Sequence, residues 1–188
     1  PRQDNELFLQ DVHDRALVFL DGEFKGIVMR DEPQTLKLDI PPAGAQLEIL
    51  VENMGRINYG PFMVDRKGIT EGVRLGQQFL FDWTIYPLPL ADLSALQWET
   101  KEGKVPAFFR GTFEVEELAD TFLSLEGWGK GVAFVNGFNL GRYWKIGPTK
   151  TLYVPAPILR QGKNELVIFE LEEVAEPIVE FLGQPILG

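Results

Sequence analysis

Acidic residues are the most abundant reactive groups in this chain, 28 against 18 basic ones, so hydrolysis by paired carboxyls is the first chemistry to test. Such a reaction needs two carboxyls flanking a glycosidic bond, roughly 5 to 10 Å apart depending on mechanism. The candidates are Glu52, Asp65, Glu71, Asp82 and Glu170. Most of them alternate with apolar residues or sit in turns, which is the placement of a solvated face, and their spacing pairs no two of them. His13 is the sole histidine, so any Ser-His-Asp triad would depend on it, and no G-x-S-x-G elbow is present. It reads as a structural residue at the start of a strand. One histidine and no cysteine leave no His-rich or thiolate metal site. Gly137-Phe138-Asn139-Leu140-Gly141 lacks the lysine of a phosphate-binding loop. The expectation is a chain with no catalytic residue, metal site or cofactor of its own.

Recognition of a neutral ligand such as a sugar is a second chemistry, for which aromatic faces and hydrogen-bonding neighbours are needed together. VENMGRINYGPF, residues Val51 to Phe62, offers Asn53, Arg56, Asn58 and Tyr59 between Gly55 and Gly60. This concentration suits a sugar-contacting loop, and equally a self-satisfied loop braced by Arg56. Trp83, Trp98, Trp128 and Trp144 read as core or inter-domain packing, with Trp83 in a strand-like FDWTIYPL. Arg142 beside Tyr143 could bind a ligand, bond backbone carbonyls or stack on an aromatic.

Strands must position these residues, because short apolar runs broken by Gly, Pro and Asn dominate and helical periodicity is scarce. Asp21-Gly22 and Asn136-Gly137 each divide two such runs and suit tight hairpins with positive φ. Aligned on these turns, the halves correspond in order: NELFLQDV with DTFLSLEGW, ALVFL with GVAFV, QTLKLDIP with KTLYVPAP, AQLEILVEN with NELVIFELE, and EGVRLGQQFL with PIVEFLGQPIL. A repeat spanning half the chain means two copies of one domain and not a solenoid. The fold expected is all-β: two jelly-roll-like antiparallel β-sandwiches, over residues 1–97 and 98–188. AFFRGTFEV, Ala107 to Val115, has no counterpart in the first copy, which is therefore expected to be truncated at its N-terminus and to carry an unpaired edge. Leu88 to Pro106 reads as the connection, with ADLSAL as a helical turn. Gly137 is assigned to the turn and Gly141 to a close approach.

A net charge of -10 repels phosphate backbones and anionic lipid, which argues against nucleic acid and membrane partners. No stretch reaches the roughly 18 apolar residues of a bilayer span. The chain reads as soluble, with cytoplasmic, cell-surface and secreted locations all open.

VHDRALVFLDG, LVENMGRINYGPF, DRKGITEGVRL, FDWTIYPL, PAFFRGTF, TFLSLEGWGKGVAFVNGFNLGRYW and KTLYVPAPIL, in this order, closely resemble the C-terminal β domains of β-galactosidases in glycoside hydrolase family 35. The resemblance covers nearly the whole chain. It implies two β-sandwiches of the galactose-binding-like type that follow an N-terminal (β/α)8 barrel in a parent enzyme. That barrel would supply both glutamates for retaining hydrolysis of terminal β-galactosides, so the isolated chain is expected to be inactive. It further implies that Tyr59, with Asn58 and Arg56, lies toward the substrate entrance, where it would affect the accepted aglycone or linkage more than the chemical step. The implied partners are the barrel and a β-galactoside substrate, with a homodimer left open. An autonomous galactose-binding module and a dimerisation scaffold are the competing functions.

Overall fold

A computed structural model describes residues 5–61, 63–99 and 104–188. Phe62 at the end of the polar loop, and residues 100–103 of the expected connection, lie outside the described residues. The chain divides into two compact units, Pro1–Pro87 and Leu88–Gly188, a break earlier than the expected one after Gln97.

In the first unit, one sheet contains β1 (Glu6–His13), β4 (Thr35–Lys37), β6 (Gly68–Leu75) and β7 (Gln78–Phe79) in the order β4-β1-β6-β7. The other contains β2 (Arg15–Leu20), β3 (Glu23–Met29) and β5 (Leu47–Glu52) in the order β3-β2-β5, and every pairing is antiparallel. Alternation gives β1 its inward face, Leu7 and Leu9. The register then shifts at Asp11, where φ is 58°, and the bulge returns Val12 to the core. These residues pack with Ala16 and Val18 of β2, Val28 of β3 and Val73 of β6, so both sheets enclose one core.

In the second unit, β9 (Thr121–Ser124), β12 (Thr151–Val154) and β14 (Glu180–Leu182) form a sheet of order β12-β9-β14. The facing sheet has the order β11-β10-β13-β8, from β8 (Ala107–Val115), β10 (Lys130–Val135), β11 (Phe138–Trp144) and β13 (Gly162–Glu170). Its core joins Leu123, Trp128, Ala133, Val135, Val154, Leu166 and Ile168. Trp128 is core, as expected, and its indole N–H donates to the Ile178 carbonyl at 2.8 Å.

The repeat is therefore structural, since β4-β1-β6 has the arrangement of β12-β9-β14 and β3-β2-β5 that of β11-β10-β13. It extends to single hydrogen bonds. Asp21 and Asn136 open their turns at a φ of 50°, followed by Gly22 and Gly137 at 74° and 81°, the signs of a type I′ hairpin. The side-chain oxygen of Asp21 accepts the Gln46 N–H, and that of Asn136 accepts the Glu165 N–H. β8 pairs with the outer edge of β13, whereas among the described residues β5 pairs only with β2.

Two expectations change. A Cβ on Gly141 would meet nothing within 4 Å, so its role is not close approach; its φ of 114° serves the bulge at which β11 slips against Ala133 and Phe134. FDWTIYPL forms no strand, and Trp83 is exposed with its N–H on the Leu80 carbonyl. ADLSAL makes the expected single turn, closed by Leu96 N–H to the Leu93 carbonyl and capped by Asp92 on Ser94.

Candidate functional site

The connection from β5 to β6 runs over residues 53–67, longer than its counterpart at 171–179 between β13 and β14. Arg56, Asn58 and Tyr59 all lie on it and are all exposed, Tyr59 at 88%. Among the described residues their side chains make no hydrogen bond, ion pair or ring contact, so Arg56 is not the brace of the loop. Arg56 lines a cavity of about 580 Å³ together with Asn53, Met63, Val64, Asp65, Arg66 and Lys67. Asn58 and Tyr59 lie outside that lining.

What braces the loop is an ion network at its mouth. Asp14 Oδ2 accepts the Met54 N–H at 2.8 Å and the Lys67 ammonium at 2.7 Å, and its Oδ1 accepts from Arg30 at 3.1 Å. Asp65 lies 2.6 Å from Lys67 and 2.9 Å from Arg30. His13 Nδ1 donates to the Arg66 carbonyl at 2.6 Å, while Nε2 is 2.9 Å from Asp11. Thus the single histidine is held by hydrogen bonds, as a structural residue would be, but it ends β1 instead of starting a strand.

Burial alone would raise the Asp14 carboxyl. Hydrogen bonds from Lys67 and the Met54 N–H, with the charges of Lys67 and Arg30, outweigh it and hold the group below the ordinary carboxylate range. Close charged contacts with Arg30 and then Lys67 hold Asp65 well below that range. Asp14, Arg30 and Lys67 carry no motif that marked them in the sequence. They come together only because the bulged β1 and the returning loop meet.

Three of the candidate carboxylates are engaged within the fold. Asp65 is 2% exposed and engaged by two cations, and Glu52 is bonded by the Arg15 guanidinium at 3.3 Å. Glu170 is fully buried, which corrects the reading of a solvated face. Its carboxylate accepts the backbone N–H groups of Gly129, Lys130, Leu171, Glu172 and Glu173, and the Tyr143 hydroxyl at 2.7 Å. Burial, reinforced by the Glu170 charge, pushes the Tyr143 hydroxyl far above its usual range. A buried carboxylate with this many donors serves as a structural acceptor.

A second cavity, about 340 Å³, opens in the second unit between Trp128, Tyr143, Trp144, Lys145, Thr149 and Lys150. The Lys130 ammonium lies 4.3 Å from the centroid of the Trp144 ring.

Two sandwiches of one topology, with an anchored polar loop on the first and buried carboxylates already engaged, define a tandem β module. Residues 2–89 match the family model described as the first all-β domain of β-galactosidase, and residues 106–164 match that of its galactose-binding domain. β-Galactosidase 17 of Arabidopsis thaliana is 42% identical over 89% of this chain and 29% of its own length. β-Galactosidase 1 of Dictyostelium discoideum is 38% identical over 97% of this chain and 31% of its own, and the β-galactosidase of Homo sapiens 37% over 96% and 31%. The chain belongs to the β-galactosidase family, of which it comprises these β domains. It spans about three tenths of the length of these relatives.

Proposed function

We propose that these domains stabilise and frame the active site of a retaining β-galactosidase whose catalytic barrel belongs to the same longer protein, and that Arg56, Asn58 and Tyr59 face its β-galactoside. One observation carries the reading. The loop is fixed at its mouth by charged hydrogen bonds, yet it holds out a guanidinium, an amide and a phenol ring that use no partner among the described residues. Groups of that kind on an anchored loop are suited to a ligand or to another domain. The engagement of Asp65 and Glu170 supports an inactive isolated chain. Tyr59 would then act on which aglycone or linkage is accepted, not on bond cleavage.

A second reading, an autonomous carbohydrate-binding module, is favoured by the aromatic-walled cavity of the second unit, whose size lies near the lower end for small-molecule sites. Titration of the isotopically labelled chain with galactose and a β-galactosyl disaccharide separates the two. The framing role predicts no saturable shifts up to about tens of millimolar sugar, in the weak-affinity range, with binding restored when the barrel is present. Saturable shifts at Trp128 and Trp144 would establish the module instead, and shifts confined to Arg56–Tyr59 would mean that the loop binds sugar unaided.

A further inference from the structure

We infer that Asp14 is the positioning residue of the Arg56–Tyr59 loop, one carboxylate oxygen fastening both of its ends. Oδ2 holds the Met54 N–H, where the chain has just left β5, and the Lys67 ammonium, where it is about to enter β6. Joining these two ends shortens the span over which the intervening residues can vary, without any contact at Arg56, Asn58 or Tyr59.

The charges around Asp14 support this assignment. Lys67 bridges Asp14 to Asp65, and Arg30 bridges the same two carboxylates from the turn after β3, so two cations and two anions form a ring that His13 adjoins. Asp14 and Asp65 are nearly enclosed, at 8% and 2% exposure, where charged hydrogen bonds are little screened by solvent. His13 adds a tie to the Arg66 carbonyl, beside Lys67. At the other end, the Asn53 side-chain oxygen accepts the Gly55 N–H and turns the chain outward.

The internal repeat supplies a comparison. Asp14 precedes Arg15, whose register on β3 and β5 is that of Lys130 on β11 and β13, so the matching position in the second copy is Gly129. Gly129 has no carboxylate, and a Cβ there would lie 2.9 to 3.0 Å from Glu170 and its neighbours. The clasp occurs where the connection is long and is absent where it is short. It is therefore a property of this loop and not of the sandwich.

The inference bears on the proposed sugar-facing role, but its test does not depend on sugar. Amide exchange over residues 54–60 is compared in the native chain and in Asp14→Asn, Lys67→Met and Lys67→Arg. Asp14→Asn keeps the shape and can still accept the Met54 N–H, while Lys67→Met removes the tie at the far end together with the Lys67 contact to Asp65. Both should speed exchange in the loop about tenfold or more, the scale expected for a lost charged hydrogen bond. Lys67→Arg should stay near native, and β9, β10 and β13 should be unchanged in all three. If Asp14→Asn fails to fold, Lys67→Met decides alone. Unchanged loop exchange in folded Lys67→Met, or equal loosening in Lys67→Arg, would overturn the clasp. The sugar titration of the native chain reports separately on the loop's function, so either idea can fail without the other.

Discussion

Glu170 is the residue whose environment departs most from its sequence context. In NELVIFELE it looks like another outward glutamate, because a carboxylate at a strand end has the same sequence signature whether solvent or backbone N–H groups surround it. Its donors come from Gly129 and Lys130 on one side and from Leu171 to Glu173 on the other, a convergence made only by the paired strands. Glu170→Ala would take the carboxylate from these amides, of which Gly129 and Leu171 keep a backbone carbonyl, and should cost about 3 kcal/mol or more; Tyr143→Phe, which removes one bond to a charged group, should cost about 2 kcal/mol. Amide exchange in β10 and β13 measures both within the second unit. Asp14 and Asp65 make a different prediction, set by pH. Both carboxyls are depressed in the folded chain, so their contribution is complete above the unfolded value of about 4 and disappears as the pH falls toward the folded values. Lys67 and Arg30 stay charged throughout, and Asp11 and His13 adjoin the same network. The Met54 amide resonance should therefore hold steady from about pH 6 to pH 4 and move only below it. Movement centred above that range would contradict the network as the holder of the loop.

The hairpins were legible because their chemistry is local: Asp-Gly and Asn-Gly name a type I′ turn without help from the rest of the fold. What was not legible is the exchange of a whole row across three strands. In the first copy Val28, Ala16 and Val51 stand side by side on β3, β2 and β5; at the same register the second copy has Tyr143, Gly131 and Glu170 on β11, β10 and β13. A hydrophobic row has become a hydrogen-bonded one, and the glycine is what makes room. A Cβ on Gly131 would lie 1.9 Å from the Phe169 carbonyl oxygen and 2.7 Å from the Tyr143 hydroxyl. Two glycine substitutions should thus differ sharply. Gly137→Ala meets open space and is penalised only through its φ of 81°, about 1 to 2 kcal/mol. Gly131→Ala strikes backbone and should destabilise by about 4 kcal/mol or more, the range reserved for severe packing defects. Adding Tyr143→Val and Glu170→Val to mimic the first copy should not rescue it, because the nearest obstacle is the Phe169 carbonyl. Urea midpoints of the single and triple variants test this, and recovery in the triple variant would show that the side chains, not the backbone, limit the site.

At the scale of the molecule, sequence order alone revealed two copies and the strand by which they differ, since each short run keeps its place between recognisable turns. The site was only half legible for a related reason. A loop's composition shows which groups it offers, as with Arg56, Asn58 and Tyr59, but not the distant residues that fasten it. The extra strand has a measurable energetic consequence. β13 lies between β10 and β8, and its Leu166 and Ile168 are buried; β5, with one strand neighbour among the described residues, leaves Leu47 and Ile49 at the same register half-buried. Alternate amides along an edge strand point away from their only partner. Those of β5 should exchange about tenfold or more faster than their counterparts in β13, while amides of β2 and β10, central in both copies, should be similarly slow. A segment that supplied the missing pairing would erase the difference at β5 and leave β2 unchanged. Equal protection of β5 and β13 in this chain by itself would mean that the edge is already covered, and the contrast between the two sandwiches would then have to lie in their cores.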